Sequence, residues 1–90
     1  MSRMLEQYNR IKAGLQIKSK SILLFKLGDY YETFYDDAKV INKTLCIPLA
    51  RIIDDDEAEI EYCAIKISES EKYIDKLTLA GYEVVILSDK

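Results

Sequence analysis

The feature that most restricts how this chain can fold lies between residues 22 and 35. Ile22-Leu23-Leu24-Phe25-Lys26-Leu27 is a short apolar run of strand length and reads as a buried strand. Gly28-Asp29 follows, a two-residue turn signal with glycine first, where the chain needs positive φ. Tyr30-Tyr31-Glu32-Thr33-Phe34-Tyr35 is rich in aromatic residues and reads as the returning strand. A β-hairpin is therefore expected near the middle of the fold, and the other segments are read around it.

Upstream, Met4, Tyr8, Ile11 and Leu15 recur at spacings of four, three and four, which predicts an amphipathic helix over residues 3–15 with Ser2 as its N-cap. The polar stretch from Gln16 to Ser21 reads as a linker. Downstream, Asp36 or Asp37 caps a second helix that runs to about Leu45 and turns Ala38, Ile41 and Leu45 inward. Residues 46–53 read as a third strand, placed at a sheet edge or bulge by Pro48. Asp54-Asp55-Asp56-Glu57 reads as an acidic turn, and residues 60–67 as a fourth strand. Ser68 and Glu71 have the spacing of a capping box for a third helix, which carries Tyr73, Ile74 and Leu77 inward and ends at Gly81. Residues 82–87 form a fifth strand. The last strand–helix–strand unit predicts two parallel strands in one sheet. The 90 residues make one domain, residues 1–90, of α/β type (α+β), with a mixed sheet of about five strands and three helices.

Several function classes are excluded. The sequence holds no P-loop pattern for ATP, no glycine-rich phosphate cradle, and no histidine for a catalytic dyad or triad. Two cysteines without histidine do not make a common zinc site, so no metal and no cofactor is expected. Cys46 and Cys63 both lie in apolar stretches and read as small core residues. The consecutive acids 54–57 read as a solvated loop rather than a cation site. No run is long and apolar enough to span a membrane, and no signal-peptide pattern opens the chain, so a cytoplasmic protein that is not an enzyme is expected. The charge is divided along the chain. Residues 1–51 carry nine Lys and Arg against five Asp and Glu, whereas residues 52–90 carry four against eleven. A polyanion would meet attraction from the first part and repulsion from the second.

The most informative stretch is Leu24-Phe25-Lys26-Leu27-Gly28-Asp29-Tyr30-Tyr31-Glu32-Thr33-Phe34-Tyr35-Asp36-Asp37-Ala38-Lys39. In a strand, residues two apart share a side, so Tyr30 and Glu32 project together just beyond the turn. An aromatic ring so placed is able to wedge into a base stack, and a mismatched step has already lost pairing strength. On the residues alone, a hairpin with surface aromatics and a solvated acid is the favoured description of the same segment. The stretch resembles the signature of the amino-terminal, mismatch-recognising domain of the MutS family: an apolar strand, a Gly-Asp turn, an aromatic-x-Glu motif and Asp-Asp-Ala-Lys opening a helix. Gln7-Tyr8-Asn9-Arg10-Ile11-Lys12 resembles the family's opening helix, and Tyr73-Ile74-Asp75-Lys76-Leu77 with Gly81 its later one.

The resemblance implies a DNA-binding module for mispaired duplex DNA, in which Tyr30 is the wedge and Glu32 the reader of the base. Lys18, Lys20, Lys26 and Arg51 are then candidate phosphate contacts. The sequence departs from the family in four respects. Tyr30 stands where phenylalanine is usual. Acids at 54–57 replace a typically basic segment, and Ala64-Ile65-Lys66-Ile67-Ser68 replaces a Gly-x-Pro-x-His segment. The clamp, lever and ATPase segments are not included, so weak DNA binding by this chain alone is expected. The acidic second half fits an alternative better: a non-catalytic protein-interaction module that kept the fold, lost the DNA role, and docks on a full-length MutS-like or other protein.

Overall fold

In the computed structural model, residues 3–15, 20–53 and 56–88 are described. Among them the order is α1 (Arg3–Leu15), β1 (Ser21–Leu27), β2 (Tyr30–Phe34), α2 (Tyr35–Leu45), β3 (Ala50–Ile53), β4 (Glu59–Lys66), a 3-10 turn (Ile67–Glu69), α3 (Ser70–Leu79) and β5 (Glu83–Ser88). The strands form one mixed sheet in the order β3-β4-β2-β1-β5. β1 and β5 pair in parallel, and the other neighbours are antiparallel. The fold is thus the α+β type expected. β4 and β5 run in the same direction in one sheet, as the strand–helix–strand reading requires, but β2 and β1 lie between them.

The position of β1 explains its composition. Side chains of a strand alternate between faces. Ile22 and Leu24 join Ala38, Ile41, Leu45, Cys63, Ile65 and Leu77 in a core beneath α2 and α3. Leu23 and Phe25 join Leu5, Tyr8, Phe34 and Ile60 in a second core beneath α1. A strand covered on both faces has no solvent side, and its sequence loses the apolar–polar alternation of a half-exposed strand. The hairpin forms as read, with Leu27 opposite Tyr30. Gly28 has φ 60° and Asp29 has no positive φ, the pattern of a type II′ turn.

Local expectations fail where backbone geometry overrides the sequence signal. In α1 the buried residues are Leu5 and Tyr8, with Met4 and Ile11 partly buried. Neither Asp36 nor Asp37 caps α2, whose N-cap position is Phe34 without a side-chain cap bond. The third strand is shorter than read, because residues 46–49 end α2 and return the chain to the sheet. Cys46 takes the left-handed conformation that closes α2 (φ 61°) and is exposed, so of the two cysteines only Cys63 is a core residue. Ser68 and Glu71 do not form a capping box. A 3-10 turn precedes α3 instead, and Ser70 Oγ donates to Ile67 O at 2.8 Å. Gly81 ends α3 as expected, with φ 95°. The Ser2 cap, most of the 16–21 linker, Lys18, Asp54 and Asp55 lie outside the described residues.

Asp37 does other work in the first turn of α2. Its Oδ2 accepts from the Leu23 backbone N–H at 3.1 Å and from the Tyr8 hydroxyl at 2.8 Å, and its Oδ1 pairs with Lys12 Nζ at 2.8 Å. Lys12 Nζ also donates to Ser21 O. A carboxylate only accepts, so the Tyr8 proton points to Asp37 and the Tyr8 oxygen is left to accept from Thr33 Oγ1 at 2.9 Å. Burial and the adjacent Asp37 charge raise the Tyr8 pKa well above the ordinary phenol value. Removing one partner from such a buried set strands the others without compensation. Asp37→Ala is therefore expected to destabilise the fold by about 3 kcal/mol or more, and Tyr8→Phe by about 1–2 kcal/mol. Urea titrations of both single variants and the double variant check this. Fully additive losses would show that the two groups do not act through one another.

Candidate functional site

β2 leaves the type II′ turn with its first residue, Tyr30, exposed and the next two half-buried. Tyr30 and Glu32 share the face that carries Phe34 into the α1 core, whereas Tyr31 packs on the α2–α3 side. The two candidate residues therefore point the same way. Tyr30 lies between Leu27 of β1 and Lys66 of β4, and Glu32 lies between Phe25 and Ala64. Tyr30 is 43% exposed. Glu32 is half-buried, and desolvation raises its pKa above the usual carboxylate value. Among the described residues it has no cationic partner to offset that cost.

Two lysines flank the turn. Lys26 and Lys66 border an open groove of about 460 Å³ with Gly28, Asp29 and Ser68. The Ile67 backbone N–H donates to Asp29 O at 2.9 Å and fixes the end of β4 to the turn. Lys66 was not singled out in the sequence. Its position beside Tyr30 depends on the β2–β4 register, which no local motif encodes. The remaining basic candidates stand apart from Tyr30. Lys20 precedes β1 at the opposite end of the strand, with its Nζ 5.4 Å from the centre of the Tyr82 ring. Seven residues of extended chain separate it from Leu27, roughly 23 Å. Arg51 faces Glu61, five positions along β4 from Lys66, which is roughly 17 Å. It is also engaged with Glu59 at 3.8 Å and Glu61 at 3.7 Å. Lys18 falls outside the described residues.

Other chemistry finds little support in the side-chain arrangement. The Cys63 thiol is pushed up to about 11 by burial and faces the carbonyls of Ala38 and Pro48, which suits a packing role. Among the described residues no group of three or more His, Cys, Asp or Glu side chains gathers to hold a metal ion. No described helix is long and apolar enough to cross a membrane. What the arrangement offers on one face is a part-exposed aromatic ring, an acid with elevated pKa and the neighbouring Lys66, a set suited to stacking and hydrogen bonding, while Lys26 pairs with Tyr31 and projects to the opposite face.

Comparison with known proteins identifies the family. The family model described as MutS domain I matches residues 2–90. The chain is 48% identical over 83 residues to the DNA mismatch repair protein MutS of Thermotoga petrophila, covering 92% of this chain and 10% of that protein. It is 45% identical over 86 residues to the Thermotoga neapolitana protein of the same name, covering 96% and 10%. The Staphylococcus aureus protein of that name is 39% identical over 83 residues, covering 92% and 9%. The chain thus spans about a tenth of the length of these curated relatives.

The desolvated Glu32 has a measurable consequence for stability. Its folded-state pKa lies above its unfolded value, so its effect on stability is favourable at low pH and is lost as pH rises through the folded pKa. Glu32→Gln removes that loss. The variant is expected to melt at a higher temperature than wild type near pH 7, with the difference shrinking as pH falls through the carboxylate range. Thermal melts from pH 3 to pH 7 check the sign, and a gain that grows with acid would contradict it.

Proposed function

This chain belongs to the MutS domain I family, and on that premise we propose that it is a DNA-binding module of mismatch-repair type, with Tyr30 stacking on a mispaired base and Glu32 hydrogen-bonding to it. The observation that carries this reading is the shared projection of a part-exposed ring and a desolvated acid from one sheet face, immediately past a tight turn. Inserting a ring between base pairs costs a few kcal/mol of unstacking. A mismatched step resists less, so the wedge favours it over paired DNA. The Tyr30 hydroxyl must find a partner when its ring is enclosed, which selects among the edges it can lie beside. Glu32 is more readily protonated than an ordinary acid, and a protonated carboxyl is able to donate as well as accept. In this reading Lys66, beside Tyr30, and Lys26, on the opposite sheet face, meet phosphates on either side of the turn.

Binding by this chain alone is expected to be weak. Bending a duplex by 40–90° costs roughly 1–6 kcal/mol, and a module of this size has little surface to offset that. The exposed acids of the β3–β4 edge, Glu59 among them, favour the second reading, a protein-interaction module without a DNA role.

Fluorescence anisotropy with G·T and matched duplexes at two salt concentrations separates the two readings. Wild type is expected to prefer the G·T duplex and to weaken with salt. Tyr30→Ala should lose about tenfold in affinity for the G·T duplex, within the roughly 1–3 kcal/mol of base–aromatic stacking. Its affinity for the matched duplex should change little. Equal curves for both proteins on both duplexes would favour the interaction module instead.

A further inference from the structure

A second feature lies on the same sheet face as Tyr30 and Glu32. α1 runs antiparallel to β1: Tyr8 and Lys12 reach Leu23 and Ser21, whereas the first turn of the helix lies over the Gly28 end. Between them is an open groove of about 670 Å³, with Arg3, Glu6, Gln7 and Arg10 along its helical wall and Phe25 and Leu27 in its floor. The floor residues are the direct cross-strand partners of the candidate pair, Phe25 of Glu32 and Leu27 of Tyr30. The groove is therefore one side chain away from the proposed wedge. Arg3, Gln7 and Arg10 recur at spacings of four and three, so they stand in one line along the helix. All three are exposed, and neither arginine has an ion-pair partner among the described residues.

We infer that this groove seats the sugar–phosphate backbone of the duplex whose base meets Tyr30, with Arg3 and Arg10 contacting phosphates and Gln7 hydrogen-bonding between them. The inference rests on the reading of Tyr30 and Glu32 given above and adds a strand-positioning surface to it. Seven residues of helix set the two arginines about 10 Å apart along the axis, enough for each to meet a different phosphate of one strand. Leu27, half-buried above the core residue Phe25, offers the deoxyribose an apolar floor, and the guanidinium fork matches phosphate oxygens in pairs. The arginines set affinity and register without reading sequence, a division of labour in which the specificity stays with Tyr30 and Glu32. Glu6 is the one acid on this wall and opposes the same phosphates.

The test measures salt dependence on the 90-residue chain, with G·T and matched 15-base-pair duplexes titrated by anisotropy from 20 to 150 mM salt. The double variant R3Q/R10Q is expected to lower the slope of log affinity against log salt by about two, near 0.9 per lost phosphate contact. It should weaken both duplexes equally and keep the ratio between them. E6Q is expected to strengthen both by roughly twofold to fivefold, the scale of one solvent-exposed charge interaction. Tyr30→Ala should do the opposite of R3Q/R10Q, losing the ratio and keeping the slope. An unchanged slope in R3Q/R10Q, with mismatch preference intact in wild type, overturns the groove and leaves the wedge standing. A reduced slope in a protein with no mismatch preference supports the groove and overturns the wedge. No binding by wild type to either duplex at 20 mM salt overturns both.

Discussion

The carboxylate of Asp37 is the point on which the two layers of this fold are joined. It sits in the first turn of α2 on one side of the sheet, yet its oxygens receive the hydroxyl of Tyr8 and the ammonium of Lys12 from α1 and the backbone N–H of Leu23 from β1. An acid near a helix N-terminus is favoured by the helix dipole, and here it also supplies a partner to a donor in the central strand. Tyr8 extends the connection to Thr33 and packs its ring edge-on to Phe34 at 5.2 Å between centroids. Hydrophobic burial supplies most of the driving force for bringing α1 to the sheet, but it is non-directional. The Asp37 set fixes where the second half of α1 sits along β1, with the first turn of the helix beside Leu27 and the Tyr30 ring still 43% exposed.

That corner is where the candidate site lies. The fold carries two local costs there: an aromatic ring left part-exposed and a carboxylate drawn out of water without a partner. Neither contributes to holding the sheet together. Both become useful against a base, which covers the ring and offers hydrogen-bonding groups to the acid. The turn that presents them is held by the Gly28 conformation and by the hydrogen bond from the Ile67 N–H to Asp29 O.

Charge is sorted by the same topology. At the β3–β4 edge Glu59 and Glu61 engage Arg51 and Lys39, whereas Glu69, Glu71, Asp75 and Glu83 are exposed on the 3-10 turn, α3 and β5. Exposed pairs of this kind add little stability, but they take those two cations out of the field seen by an approaching anion. The turn end keeps Lys26 and Lys66, and the outer wall of α1 keeps Arg3 and Arg10. Around the Tyr30 corner these four cations stand with the acids Asp29, Glu6 and Glu32, so the local charge is mixed in a chain that is net acidic as a whole.

The amino-acid sequence by itself determined the hairpin, the three helices, the mixed sheet and the pairing of Tyr30 with Glu32 on one side. These follow from signals contained within a few residues: an apolar run, a glycine-first turn, helical spacing and strand alternation. Only the tertiary structure decided which of the basic residues stand near that pair. Lys66 became its neighbour through strand register, and Arg51 and Lys20 were carried to other places, because the distance between residues remote in sequence depends on how strands are ordered in the sheet. The boundaries that the sequence misplaced have the same origin. Asp37 reads as a cap from its neighbours but is claimed by donors from α1 and β1, and Cys46 reads as core but must take a left-handed conformation to end α2. Local chemistry fixes what an element is, whereas packing against distant elements fixes where it ends and what it faces.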